Sequence, residues 1–185
     1  MIKLKTKRLI LRLPTLNDAK NIVEEINNFE ISKWLFPVVY PYTLKDAKQY
    51  IKSSIKKAKE KLAETYSFSI ELKEEKRIIG GMGIHDIDYF NQRAEVGYWL
   101  GQNYWHKGYA SEALQALLNF AFNKLKLERI EIPIFVGNKP SARLVKRFGA
   151  KLEGIKRRAG RSKATGLVHD EWIFGLLKKD YKTKK

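Results

Sequence analysis

The stretch Asn103–Leu114, "NYWHKGYASEAL", decides how the chain is read. Up to Gly108 it is polar and aromatic without a period; from Tyr109 onward its residues favour a helix. A helix start presents backbone N–H groups with no partner inside the helix, together with the positive end of the macrodipole, and so forms a ready cradle for phosphate. A glycine just before it either admits a phosphate close to the backbone or simply turns a corner.

Before this stretch, "AEVGYWL" (94–100) reads as a strand. After it, Ala113, Leu114, Leu117, Leu118, Ala121, Phe122 and Leu125 form a broad buried helical stripe, followed by the strand "RIEIPIFV" (129–136). The strand–glycine–helix–strand unit reads as a crossover. A short helix in "PSARLVKRFG" (140–149) begins with proline and ends in glycine, and strand-like runs near "LEGIKRRAG" and "HDEWIFGLL" close the chain.

Toward the N-terminus, "TYSFSIEL" (65–72) and "KRIIGGMGIHDI" (76–87) form a hairpin around the charged turn "KEEK". Residues 4–13, "LKTKRLILRL", read as one strand broken at Pro14. Thr15 with Asp18, and Thr43 with Asp46, carry the signature of a helix capping box. In the second helix, expected over residues 43–64, Ala47, Tyr50, Ile51, Ile55, Ala58 and Leu62 fall on one face and lysines on the other. The pattern is α/β with a mixed sheet, in a single domain over 1–185 whose residues 178–185 are expected to be a flexible basic tail.

The chain has 185 residues, 44% of them hydrophobic, enough for one ordinary core. With no cysteine and only His85, His106 and His169, neither disulfides nor thiolate metal sites are available, and no metal is expected. No apolar run reaches membrane-spanning length and "MIKLKTKRLILRL" is not a secretory signal, so a cytoplasmic protein is expected. A formal net charge of +17 attracts polyanions and repels polycations, although solvated lysine faces account for it equally well. His169, Asp170 and Glu171 suggest a metal triad, yet neighbours on a strand point to opposite faces.

The run from "TKRLILR" through "GYWLGQNYWHKGYASEAL" and "NKPSARLVKRFGAKLEG" to "DEWIFGLL" resembles the GNAT superfamily of acetyl-CoA-dependent N-acetyltransferases, and within it the RimJ/RimL branch of ribosomal-protein N-terminal acetyltransferases. The resemblance implies a mixed, mostly antiparallel sheet of about seven strands flanked by about four helices, with a splayed strand pair in the middle. It implies that Lys107, Gly108, Tyr109, Ala110 and Ser111 wrap the CoA pyrophosphate. It implies too that Tyr98, Trp99 and Leu100 border a gap for the pantetheine arm, with Asn138 facing the same arm and unpaired backbone groups stabilising an oxyanion. Strand alternation limits ligand contact to one of Tyr98 and Trp99.

The resemblance is incomplete at two positions. Trp105 stands where the superfamily carries glutamine or arginine, and Val145 stands where many members carry a proton-donating tyrosine. Ser141, a position where this branch tends to carry serine, is the candidate acid, or an ordinary polar residue at a helix start. Glu95 is the candidate base, or a surface carboxylate paired with Arg93 or a lysine. His85 reads as a strand-end polar residue that could lie near the acceptor cleft, and His106 as a loop residue beside the phosphates.

The reaction expected is direct attack of an amine on the thioester in a ternary complex. A protein N-terminal α-amine, with a pKa of about 8 against about 10.4 for lysine, is the easier nucleophile. The basic exterior favours a peptide over a polyamine, with small first residues such as alanine or serine expected. Three alternatives stay open: a polyamine acetyltransferase, an aminoglycoside acetyltransferase, and a non-catalytic RNA- or ribosome-binding module using "KRRAGRSK" and "KKDYKTKK". The chain is expected to be a monomer or homodimer.

Overall fold

A computed structural model describes residues 2–60 and 63–183. Its strands are β1 (Lys3–Lys5), β2 (Leu9–Arg12), β3 (Tyr66–Leu72), β4 (Arg77–Asp88), β5 (Arg93–Leu100), β6 (Arg129–Phe135), β7 (Lys151–Arg161) and β8 (Val168–Leu177). Its α-helices are α1 (Ala19–Ile26), α2 (Phe29–Ser32), α3 (Leu44–Lys57), α4 (Tyr109–Asn119) and α5 (Lys139–Lys146). All strands join one sheet in the order β1-β2-β3-β4-β5-β6-β8-β7. Pairing is antiparallel except between β5 and β6, where the crossover through α4 makes it parallel.

The eighth strand comes from the first run of sequence. "LKTKRLILRL" is a hairpin, not one strand: Thr6–Arg8 turn, and the Thr6 N–H donates to the Leu9 carbonyl at 3.0 Å. The helix expected over 43–64 ends at Lys57, and residues 58–60 beyond it are exposed. Leu62 lies outside the described residues. Both capping boxes form at the helix starts: the Thr15 and Thr43 N–H groups donate to Asp18 and Asp46 at 2.6 and 2.9 Å.

The sheet is covered on both faces. α1 and α3 bury Ile22, Ile26, Ala47 and Ile51 on one side. α4 and α5, with the turns that follow them, bury Leu114, Leu117, Phe122, Val145 and Phe148 on the other, each fully buried side chain contributing about 1.5–3 kcal/mol. α4 ends in a π-helical turn, Phe120–Lys124, which keeps Phe120, Ala121 and Phe122 in the core. Residues 178 onward were expected to be free. Lys178–Asp180 form a 3-10 turn instead, and Tyr181 packs against Phe122 and Phe148 with its hydroxyl on Asn119 at 3.0 Å. No helix among the described residues is long and apolar enough to cross a membrane.

Candidate active site

β5 and β6 are registered over only three pairs, Arg93–Arg129, Ala94–Ile130 and Glu95–Glu131. Beyond Glu95 they part, and β5 remains bound along its other edge to β4 as far as the Leu100–Gly80 pair. The backbone edge of β5 that faces β6 is thereby freed over Val96–Leu100, which is the expected splay.

Alternation along β5 then sends its side chains to two different compartments. Tyr98 joins the core on the α4–α5 side, while Trp99 joins the cluster on the α1–α3 side. The side chains of Tyr98 and Trp99 therefore part, as alternation requires, although both residues border the cavity described below. Leu100 is buried, and its carbonyl accepts the Trp105 indole N–H at 2.8 Å, so Trp105 fixes the turn out of β5.

On the α5 side, the Tyr98 hydroxyl lies 2.7 Å from Ser141 Oγ, in the first turn of α5. Asn138 caps that helix, its Oδ1 accepting the Ser141 N–H at 3.2 Å. Burial pushes the Tyr98 phenol up to about 12, with the Ser141 hydrogen bond working against it, and the group is protonated throughout the neutral range.

The helix start read from the sequence is present. Gly108 has φ +81°, the left-handed region that L side chains rarely adopt, and α4 begins at the next residue. The N–H groups of its first turn, through Ser111, are directed out of the helix end. Arg8, which sequence reasoning assigned no role, completes this corner. Its guanidinium donates to the Lys107 carbonyl at 3.0 Å and to Glu112 at 2.7 Å, and stands 4.4 Å from the Tyr109 ring centre. Burial pushes the Glu112 carboxyl up, but hydrogen bonds from Thr6 and Arg8 outweigh it and hold the group below its ordinary value. An open glycine turn, a helix N-terminus and a nearby guanidinium suit a pyrophosphate.

On the α1–α3 side, a cavity of about 520 Å³ runs beneath the loop from Trp34 to Tyr42. Glu95, His85 and Glu171 stand along it. Burial raises the Glu95 carboxyl, helped by Asp86 and Glu131, and raises that of Glu171, helped by Glu95; Lys156 works against both. Arg93 pairs with Asp88 at 3.6 Å, so it is not the ion-pair partner Glu95 was given as an alternative. His85 crosses directly to Glu95 on the neighbouring strand, and burial lowers its pKa, so the imidazole is neutral near pH 7. His169, Asp170 and Glu171 do not converge: His169 stacks on Phe135, Asp170 accepts the Arg158 N–H, and Glu171 turns into the cavity.

Two parts of the site had no signal that the sequence reading used. Glu171 was weighed only as a metal ligand, although its neighbours on the strand already placed it on the face opposite Asp170. The run "WLFPVV" (34–39) has neither helical nor strand period, and an apolar loop of that length is itself the sign of a wall that faces inward.

The splayed pair, the glycine-opened helix and the two compartments define an acyltransferase fold of the GNAT type. The Acetyltransferase (GNAT) domain family matches residues 8–151, and the chain belongs to that family. It is 37% identical over 182 residues to the uncharacterized N-acetyltransferase p20 of Bacillus licheniformis, spanning 98% of this chain and 99% of that one. It is 35% identical over 86 residues to the ribosomal-protein-serine acetyltransferase of Escherichia coli (strain K12), covering 46% of this chain and 48% of that protein. The crystal structure of the microcin C7 self immunity acetyltransferase MccE, in complex with acetyl-CoA and AMP, superposes with a TM-score of 0.82 at 25% identity, covering 93% of each chain.

Proposed function

We propose that the protein acetylates an N-terminal α-amine with acetyl-CoA, in a ternary complex formed across the gap between β5 and β6. The observation that carries the reading is the division of β5, which turns Tyr98 toward Ser141 on one side and Glu95 toward the acceptor cavity on the other. Acetyl-CoA supplies an acyl group already activated as a thioester.

The chain then provides four things. Gly108, the first turn of α4 and Arg8 hold the pyrophosphate. Glu95 takes the proton from the incoming ammonium, directly or through water, and the neutral amine then attacks the thioester carbonyl to form the C–N bond; the raised pKa of Glu95 brings it nearer to that of the amine. Freed N–H groups of β5 meet the charge developing on the carbonyl oxygen. As the C–S bond breaks, Ser141 gives its proton to the leaving thiolate and regains one from solvent, while the Tyr98 phenol stays protonated and holds the Ser141 hydroxyl by a hydrogen bond. Likeness to a ribosomal-protein acetyltransferase supports a protein N-terminus as acceptor.

The test is thiol release on mixing acetyl-CoA with short peptides. Free N-termini are expected to react, and the same peptides blocked at the N-terminus, or spermidine, are expected to react at least tenfold more slowly. Spermidine exceeding every free peptide would reject the N-terminal acceptor.

A further inference from the structure

The acceptor cavity is far larger and more aromatic than a small first residue requires. Its floor is built by glycines. A Cβ on Gly81 would stand 2.5 Å from the Trp99 indole nitrogen, and one on Gly83 would stand 2.6 Å from a His85 ring nitrogen. The missing side chains let both rings approach the β4 backbone closely, so that the sheet presents an aromatic floor ending at Glu95, the cross-strand partner of His85.

The roof is equally fixed. Phe36 meets Phe135 edge-on at 4.3 Å and lies against Gly160, where a Cβ would come within 2.8 Å of its ring. The Lys163 N–H donates to the Phe36 carbonyl at 3.2 Å, tying the loop to the turn between β7 and β8. Trp34 rests against Gly137, in the turn that leads into α5. These rings are held by their surroundings before any ligand arrives, so little rotamer freedom is lost when an apolar group enters.

Charge in the cavity is confined. Of the three carboxylates that line it, Asp46 is occupied by the N-terminus of α3, and Glu95 and Glu171 already feel the charge of Lys156 beside them, which leaves them to balance one ammonium. Lys163 also lines it and opposes a second positive charge. A volume of about 520 Å³ falls within the range of about 300–1,000 Å³ typical of small-molecule sites.

We infer that the acceptor is a monoamine with a bulky apolar group, aromatic by preference, beside the amine-bearing carbon, as in a peptide that begins with phenylalanine, tryptophan or leucine. The inference rests on the acetyl-transfer reading above but departs from the alanine or serine expected from the sequence.

The test compares peptides identical except for Phe, Leu, Ser or Ala at the first position. The Phe peptide is expected to exceed the Ala peptide in kcat/KM by about 10- to 100-fold, the value of burying one large side chain. Phe36→Ala should reduce that preference to within about threefold while leaving acetyl-CoA affinity unchanged; Trp34→Ala serves as the second variant should the first fail to fold. A Ser or Ala peptide matching or exceeding Phe overturns the inference. Calorimetry of phenylalaninamide and alaninamide with the CoA-loaded protein separates the two readings. Tighter phenylalaninamide binding without any thiol release upholds the occupant and rejects the transferase reading, and equal binding of the two amides overturns the occupant.

Discussion

The hydroxyls of Tyr98 and Ser141 meet at 2.7 Å across the space between β5 and α5. A tyrosine hydroxyl thus reaches α5 from a strand, whereas the helix itself carries Val145. Ser141→Ala is expected to lower kcat by about 10²-fold, the usual weight of one acid–base group. Tyr98→Phe should cost less, because Ser141 can still be resupplied by water. Single-turnover acetyl transfer checks both, with acetyl-CoA affinity expected to hold. Rates within about threefold of the parent for both variants would show that positioning alone carries thiolate departure.

Glu95→Gln addresses the other proton. Because burial raises the Glu95 carboxyl, the parent enzyme is expected to lose kcat/KM toward acid at a pH above the ordinary glutamate value. Glu171 faces the same cavity, and its carboxyl is raised as well, chiefly by burial. The variant should be slowest relative to the parent at pH 6, where little amine is neutral, and recover toward pH 9. A constant ratio across that range would remove Glu95 from the proton path.

Gly108 cannot be used to isolate phosphate binding. With φ at +81°, any side chain there is strained by about 1–3 kcal/mol, and stability and affinity would fall together. Ser111→Asp separates them. A carboxylate in the first turn of α4 favours the helix by about 0.3–1 kcal/mol but repels pyrophosphate. The melting temperature is expected to hold or rise while acetyl-CoA affinity drops at least tenfold, as calorimetric titration would record.

Glu171→Gln predicts a pH-dependent gain in stability. Glu171 is only 6% exposed and its pKa is raised, chiefly by burial, so the folded state holds the proton more tightly than the unfolded chain does. Its favourable contribution is therefore complete below the ordinary glutamate value near 4.5 and is lost as pH climbs through the raised one. Urea unfolding should find Glu171→Gln more stable than the parent at pH 7 and equal to it at pH 4. A loss at pH 7 would reverse the sign.

Much of this architecture was legible because its signals are local. The alternation in "AEVGYWL", the stripe from Ala113 to Leu125 and the capping pairs Thr15–Asp18 and Thr43–Asp46 each lie within one element. The hairpin at Thr6–Arg8 was missed because no glycine, proline or asparagine marks its turn. Arg8 and Glu171 were missed for another reason. Their roles depend on residues 99 or more positions away, or on strands paired far along the chain, and no periodicity carries that information. Tyr98 lay between: alternation showed that it and Trp99 must part, but not which of them would meet Ser141.

The clasp of Arg8 on Glu112 joins residues 104 positions apart. In a chain made from its N-terminus at about 5–20 residues per second, Arg8 waits roughly 5 to 20 s for its partner to be synthesised. β2 meanwhile lacks β3, its neighbour in the finished sheet, until residue 72 has emerged. A nascent chain therefore carries Arg8 long before the helix start that it clasps exists. Closing so wide a loop places this contact among the later steps of folding, and protection from protease should reach the N-terminal hairpin only after α4 has been released.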